Sequence, residues 1–358
     1  MKIGIVTFTT GDNYGQRLQN YAVQTLLKSI GADVCTLRQQ LPRQTLAHRI
    51  KSGAHDMIQG VWGVNRSRHR SFVKFDEHYI TYCPYCPSKD GVDDSFGNFD
   101  AYVAGSDQIW SPYISDPDGY MFLAFAGEAK RIALSASIAA PSIPHNKAAK
   151  YAEWLSAFDH ISVREDNASA LIADLIGKSV PVLIDPTLMF DADFWQTISH
   201  KPSQSIPAEY ALKYFLGSAP EKELYFETYC RSRNLPVIDL CGDKYFYVNG
   251  PSEFLYLIEH ASLVATDSFH GSIFSILFGK PLLIFERAGS EYVMTDRFDT
   301  LAAKLGLGDW RNYNWDALSS DGPTVLDVGY HLQRERSLFR SYIDEAFGSL
   351  AVEGDARA

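Results

Sequence analysis

Residues 3–37 read IGIVTFTTGDNYGQRLQNYAVQTLLKSIGADVCTL, and their order decides the fold class. Ile3 to Phe8 is a short β-branched and aromatic run that ends in Gly11, Asp12 and Asn13. From Leu18 the apolar positions Leu18, Tyr21, Ala22, Leu26 and Ile30 recur near helical spacing, and Gly31 stops the helix. Asp33 to Leu37 then reads as a second strand. Strand, turn, helix and strand in this order form a βαβ unit, which implies a parallel sheet.

Working outward, residues 39 to 99 read as turns and short helices without strand order. Strands are predicted at 101–104, 131–136, 161–163 and 180–184, with a helix over about 165–176. The second half repeats the alternation, with strands at 210–216, 237–240, 263–266 and 282–285. Helices fit 221–231, 251–260, 271–278 and 296–305. The breaker-rich stretch Lys201-Pro202-Ser203-Gln204-Ser205-Ile206-Pro207 is the linker candidate. The expected division is an N-terminal Rossmann-like domain over 1–200, a C-terminal one over 207–328, and a last helix within 329–358 that packs back on the first. The two α/β domains face each other across a cleft, and in such sheets ligands sit at the carboxyl ends of the strands.

The 358 residues suit two domains, with 46% hydrophobic and 21% charged side chains to fill and solvate them. A net charge of −10 disfavours a nucleic-acid partner, which needs a basic face. No run approaches the roughly 18 apolar residues of a membrane helix. The opening strand leads straight into a polar turn with no cleavage site, so a cytoplasmic location is expected.

Four strand tips carry chemistry-bearing residues. In Thr266-Asp267-Ser268-Phe269-His270-Gly271 a strand ends and an apolar helix begins, a place where backbone N–H groups favour an anion. A histidine there can bind phosphate or move a proton, although Asp267 or Ser268 can equally be a plain helix cap. In Val163-Arg164-Glu165-Asp166 the arginine can hold a carboxylate or phosphate, or simply pair with its acidic neighbours. The turn Gly11-Asp12-Asn13-Tyr14-Gly15 and the turn Gly105-Ser106-Asp107-Gln108 put polar groups at two further tips. The Gly-x-Gly-x-x-Gly dinucleotide fingerprint is absent.

Taken in order, "NYGQRLQNYA", "VAGSDQIW", "RIALSASIA", "ISVRED", "VLIDPTLMF", "TDSFHG" and "TDRFDTLA" span nearly the whole chain. The ordered set resembles the polysaccharide pyruvyl transferase family. That resemblance implies two Rossmann-like domains arranged as in GT-B glycosyltransferases. It also implies phosphoenolpyruvate as donor, a sugar diol as acceptor, and no separate cofactor. His270 matches the family's essential histidine and Arg164 the arginine proposed to grip the donor. Some members carry an arginine two residues before the histidine, where this chain has Ser268, so Arg297 or Lys280 is expected to supply that charge. The expected site is therefore His270 with Asp107 (or Asp12) as acid and base, and Arg164, Ser268, Gly271 and Arg297 with His270 around the donor. Asp12, Asn13, Tyr14, Gln19 and Gln108 are expected around the acceptor. No carboxylate cluster suggests a metal.

Two readings compete: a glycosyltransferase using a nucleotide sugar on the same scaffold, and a non-catalytic sugar- or nucleotide-binding protein. Residues 43–75 hold seven Lys and Arg against Asp56 alone, interleaved with Leu46, Ile50, Trp62 and Phe72. This stretch suits peripheral contact with an anionic membrane or a lipid-linked acceptor, or a solvated basic face. Cys83-Pro84-Tyr85-Cys86 lacks the helix start of a redox motif, and the five cysteines suggest no disulfide framework, so both are expected to be loop cysteines without a role.

Overall fold

The computed structural model describes residues 1–38, 62–83, 99–218, 220–287, 296–308, 310 and 327–355. The chain is α/β, with two parallel sheets. The first contains β1 (Lys2–Val6), β2 (Asp33–Leu37), β3 (Tyr82–Cys83), β4 (Ala101–Ala104), β5 (Lys130–Ala136) and β6 (His160–Val163), in the order β3-β2-β1-β4-β5-β6. The second contains β7 (Ala211–Tyr214), β8 (Val237–Asp239), β9 (Leu263–Thr266) and β10 (Leu282–Ile284), in the order β10-β9-β7-β8. Each order reverses once, beside β1 in one sheet and beside β7 in the other, and such switch points open crevices at the strand ends.

The opening βαβ unit is as read. Asn13 caps α1 (Tyr14–Ser29) by accepting from the Gln16 N–H, and β1 pairs in parallel with β2 and β4. Within 39–99 the irregular reading fails where the structure is described. An 18-residue helix, α2 (Trp62–Tyr79), leads into β3. Polar and aromatic anchors hold this helix, so an apolar period does not reveal it. Arg68 is buried over the rings of Tyr14, Phe72 and Tyr247, and Arg17 pairs with Asp76 at 2.9 Å. Arg68 thus faces inward, and residues 43–61 of the basic stretch lie outside the described residues.

Two more expectations are corrected. Residues 180–184 form no strand, because Val182 makes only an isolated bridge with Val163 before the turn at Pro186–Met189. Proline at 181 and 186 denies the backbone donors a ladder needs. Cys83 is not a functionless loop residue, since it lies on β3 and is joined to Cys35 on β2 by a disulfide. Their separation of 48 residues hides a neighbourhood that only strand pairing creates. Cys86 lies outside the described residues.

The last helix, α11 (Gly329–Asp355), braces the first sheet. Tyr342 donates to the Ala133 carbonyl at 2.8 Å, and Arg336 donates to the carbonyls of Leu188 and Phe190. No described helix is long and apolar enough to cross a membrane.

Candidate active site

A cavity of about 280 Å³ opens where the carboxyl ends of the two sheets meet. The first sheet contributes Thr10, Asn13 and Gln16 after β1, and Asp107 and Gln108 after β4. The second contributes Ser268, Phe269 and His270 after β9, Arg287 after β10, and Arg297.

His270 occupies the first turn of α9 (Phe269–Leu277) and is buried. Ser268 caps that helix by accepting from the Gly271 N–H at 3.3 Å. Gly271 is needed there because a methyl group would lie 2.6 Å from Thr266 Oγ1 and 3.1 Å from Tyr214. Asp267 is not the cap. Its carboxylate accepts from the N–H groups of Leu216 and Gly217 at 2.7 and 2.8 Å and so fixes the turn after β7. Burial raises its pKa, and these bonds and Arg287 reverse only part of the shift.

The His270 ring is wedged between Gly15 of α1 and the carboxylate of Asp185. Its Nε2 lies 3.4 Å from Asp185 Oδ2, close enough for an ion pair but without the geometry of a full hydrogen bond. Asp185 is fully buried and richly held. Oδ1 accepts from the Thr187 N–H and hydroxyl at 3.0 and 2.7 Å. Oδ2 accepts from Arg164 Nη1 at 2.6 Å and from Ser106 Oγ at 3.3 Å. Burial alone would raise this carboxyl's pKa, but His270, Arg164 and Thr187 outweigh it and hold the group well below the usual carboxylate range.

Arg164 stands behind the cavity wall, where its guanidinium lies 4.5 Å from the centre of the Phe269 ring and 3.7 Å from Asp107 Oδ1. Burial would lower its pKa, but Asp185, Asp107 and Glu165 together raise it. Arg297 reaches the wall itself, on the same aromatic ring at 5.4 Å. The Gln108 amide, oriented by its hydrogen bonds, accepts from Arg297 Nη1 and Nη2 at 2.7 and 2.8 Å. Burial first, and then the charge of Arg164, pushes the Arg297 pKa down to about 10. Asp107 is held at φ 83°, a left-handed conformation that a non-glycine residue rarely takes outside strained or functional turns.

The structure thus gathers His270, Asp107, Gln108, Ser268, Arg297 and Asn13 on one cavity, with Arg164 and Gly271 directly behind it. Three of the sequence candidates lie elsewhere. Tyr14 is buried between the sheets, stacked on Phe254 at 4.4 Å, donating to the Asn249 carbonyl and accepting from Arg68. Gln19 is buried and donates to Thr7 Oγ1 at 2.7 Å. Asp12 pairs with His69 at 3.1 Å. Lys280, the other residue weighed for the missing positive charge, is half-buried on the turn before β10. Sequence reasoning missed Asp185, Gln16 and Arg287. The one available signal for Asp185 is an acid that directly follows the apolar run Val182-Leu183-Ile184 and opens an Asp-Pro-Thr turn.

Solved structures similar to this chain include the S. aureus MnaA–UDP co-structure (13% identity, 96% of this chain and 97% of that one, TM-score 0.44). Another is Methanocaldococcus jannaschii UDP-GlcNAc 2-epimerase in complex with UDP-GlcNAc and UDP (9% identity, 86% and 87% coverage, TM-score 0.41). A third is Arabidopsis thaliana UGT89C1 (12% identity, 95% and 99% coverage, TM-score 0.40). A comparison with curated protein sequences finds no match. The family model for polysaccharide pyruvyl transferase matches residues 13–289, which hold most of the cavity lining though not Thr10 or Arg297, so the chain belongs to that transferase family.

Proposed function

We propose that this transferase moves the pyruvyl group of phosphoenolpyruvate onto two hydroxyls of one sugar in a surface polysaccharide or its precursor, forming a pyruvyl ketal and releasing phosphate. The observation that carries the reading is Arg297, a buried guanidinium on the cavity wall whose charge burial, Arg164 and Arg287 disfavour and Glu165 and Asp107 only partly restore. A donor bearing both carboxylate and phosphate relieves that penalty through charge-assisted hydrogen bonds. Arg287 and His270 line the same cavity.

In this scheme His270 gives a proton to the methylene carbon while an acceptor hydroxyl attacks the neighbouring carbon and passes its proton to Asp107. The second hydroxyl attacks the same carbon, the bond to the phosphate oxygen breaks, and the remaining proton leaves with phosphate. Two carbon–oxygen bonds, one carbon–hydrogen bond and one phosphate O–H bond form, while the carbon–carbon π bond, the carbon–oxygen bond to phosphate and two hydroxyl O–H bonds break. Asp107 returns its proton to His270 to restore the site. Asp185 orients the His270 ring and compensates the imidazolium charge on the protonated acid. Arg164 holds Asp185 and Asp107 in place, Gln108 fixes the Arg297 fork, and Asn13 and Gln16 meet the acceptor.

The test is a melting-temperature titration with phosphoenolpyruvate beside UDP and UDP-sugars, because a ligand that binds only the native state stabilises it. Stabilisation by phosphoenolpyruvate that disappears in Arg297→Gln, with phosphate release that disappears in His270→Ala, is the expected result. Stabilisation by UDP alone would overturn the donor assignment in favour of a nucleotide sugar.

A further inference from the structure

A second cavity, of about 290 Å³, shares Ile114 with the first and lies between the loop after β4 and α3 (His145–Ser156). Its floor is aromatic. The Phe122 ring centre lies 5.0 Å from that of Trp154 and 4.8 Å from that of Tyr151. Polar groups stand around this floor: Asp116, Asn146 and Lys150, the last with its ammonium 5.5 Å from the Trp154 ring centre. The arrangement is built rather than incidental. Gly119 takes φ 69° and lies so near the indole that a methyl group there would come within 2.6 Å of Trp154 Cε2. The Asp116 carboxylate accepts from the Tyr120 and Met121 N–H groups at 2.9 Å each, which holds the loop over the ring.

We propose that this groove is an acceptor subsite that takes the sugar ring next to the one being modified; the proposal rests on the pyruvyl transfer reading above. An indole with flanking carboxylate, amide and ammonium groups matches the apolar face and hydroxyl rim of a hexopyranose. Its aromatic floor speaks against a bare phosphate as the occupant. Each cavity alone is near the small end of ligand sites, about 300 Å³, so the two serve a chain-like acceptor better together than apart. The acceptor recognised is therefore at least a disaccharide, with its reacting ring beside Asp107 and its neighbour on Trp154.

The experiment is ligand-observed saturation-transfer NMR on the full chain with paired p-nitrophenyl glycosides: galactoside and lactoside, glucoside and cellobioside, mannoside and mannobioside. Phosphoenolpyruvate-induced melting shifts are measured in parallel. At least one disaccharide is expected to bind about tenfold tighter than its monosaccharide partner, with saturation on both rings. Trp154→Ala is expected to erase that advantage while the phosphoenolpyruvate shift stays unchanged. Asn146→Trp, at an exposed position on the rim, blocks the groove without removing core packing and is expected to do the same. Absence of any disaccharide preference, or a preference that survives both substitutions, overturns the subsite. A missing phosphoenolpyruvate shift in the unaltered protein would instead count against the donor assignment, while the NMR comparison still judges the groove.

Discussion

Gly15→Ala isolates the contact between the two halves of the chain. A methyl group on Gly15 would lie 2.7 Å from His270 Cε1 and closer still to Cγ and Nδ1, whereas real Cβ contacts essentially never fall under 3.0 Å. The imidazole has little room to retreat, with Asp185 Oδ2 at 3.4 Å and the Phe269 ring centre at 5.6 Å. Either the ring or the start of α1 must shift. In a helix alanine would otherwise gain about 0.5–1 kcal/mol over glycine. Overpacking a tight site costs about 1–3 kcal/mol, so a net loss of up to ~2.5 kcal/mol is expected. Turnover should suffer more, since a displacement near 1 Å at a reacting group can cost about 100-fold. The assay is phosphate release from phosphoenolpyruvate with the glycosides above, run beside melting curves. Gly63→Ala on α2, with nothing within 4 Å of the new methyl group, is the control and should keep the original turnover and melt at or slightly above the original temperature. Gly15→Ala protein that melts higher and turns over at the full rate would refute the wedge.

Asp185→Asn tests the buried carboxylate through pH. Its folded-state pKa is depressed, so its contribution is present above the unfolded value and is lost as pH falls through the folded one. The stability gap between the original protein and the Asp185→Asn variant is therefore expected to be flat from about pH 8 to 5 and to narrow below about pH 4, with a plateau of roughly 3–5 kcal/mol for breaking a buried pair. Urea melts across that range check it; a gap that widens on acidification would be inconsistent with the sign. Arg297→Met removes a cation whose charge burial disfavours. Its melting temperature should match or exceed that of the original protein, while stabilisation by phosphoenolpyruvate disappears. A lower melting temperature with the donor response intact would show that Arg297 is structural.

Much of this was legible because the signals are local. The alternation of strands and helices, the cap at Ser268 and the chemistry at four strand tips all lie within short windows, and the chain places His270, Asp107 and Arg297 where strand ends meet. What sequence reading lost depends on distant neighbours. Tyr14 sits beside cavity residue Asn13 in sequence, yet it points between the sheets, because its ring completes a stack with Phe72 and Phe254. Arg68 looks like one surface charge among seven, yet it is the buried partner of that same tyrosine. Asp185 sits in a segment that resembles a strand, and its partners Arg164, Ser106 and His270 are all distant in sequence. The Cys35–Cys83 pairing depends in the same way on strand order.

The position of Asp185 on one half and His270 on the other also bears on how such chains can be recombined. A chimera that joins the first two hundred residues of one relative to the remainder of another would inherit the Asp185–His270 contact from two lineages. The cavity walls could tolerate such an exchange, since each tip carries its own polar groups. The seam could not, because a fraction of an ångström at Gly15 or Asp185 changes where the imidazole rests. Exchangeability of the two halves is thus set at the seam between α1, Asp185 and α9.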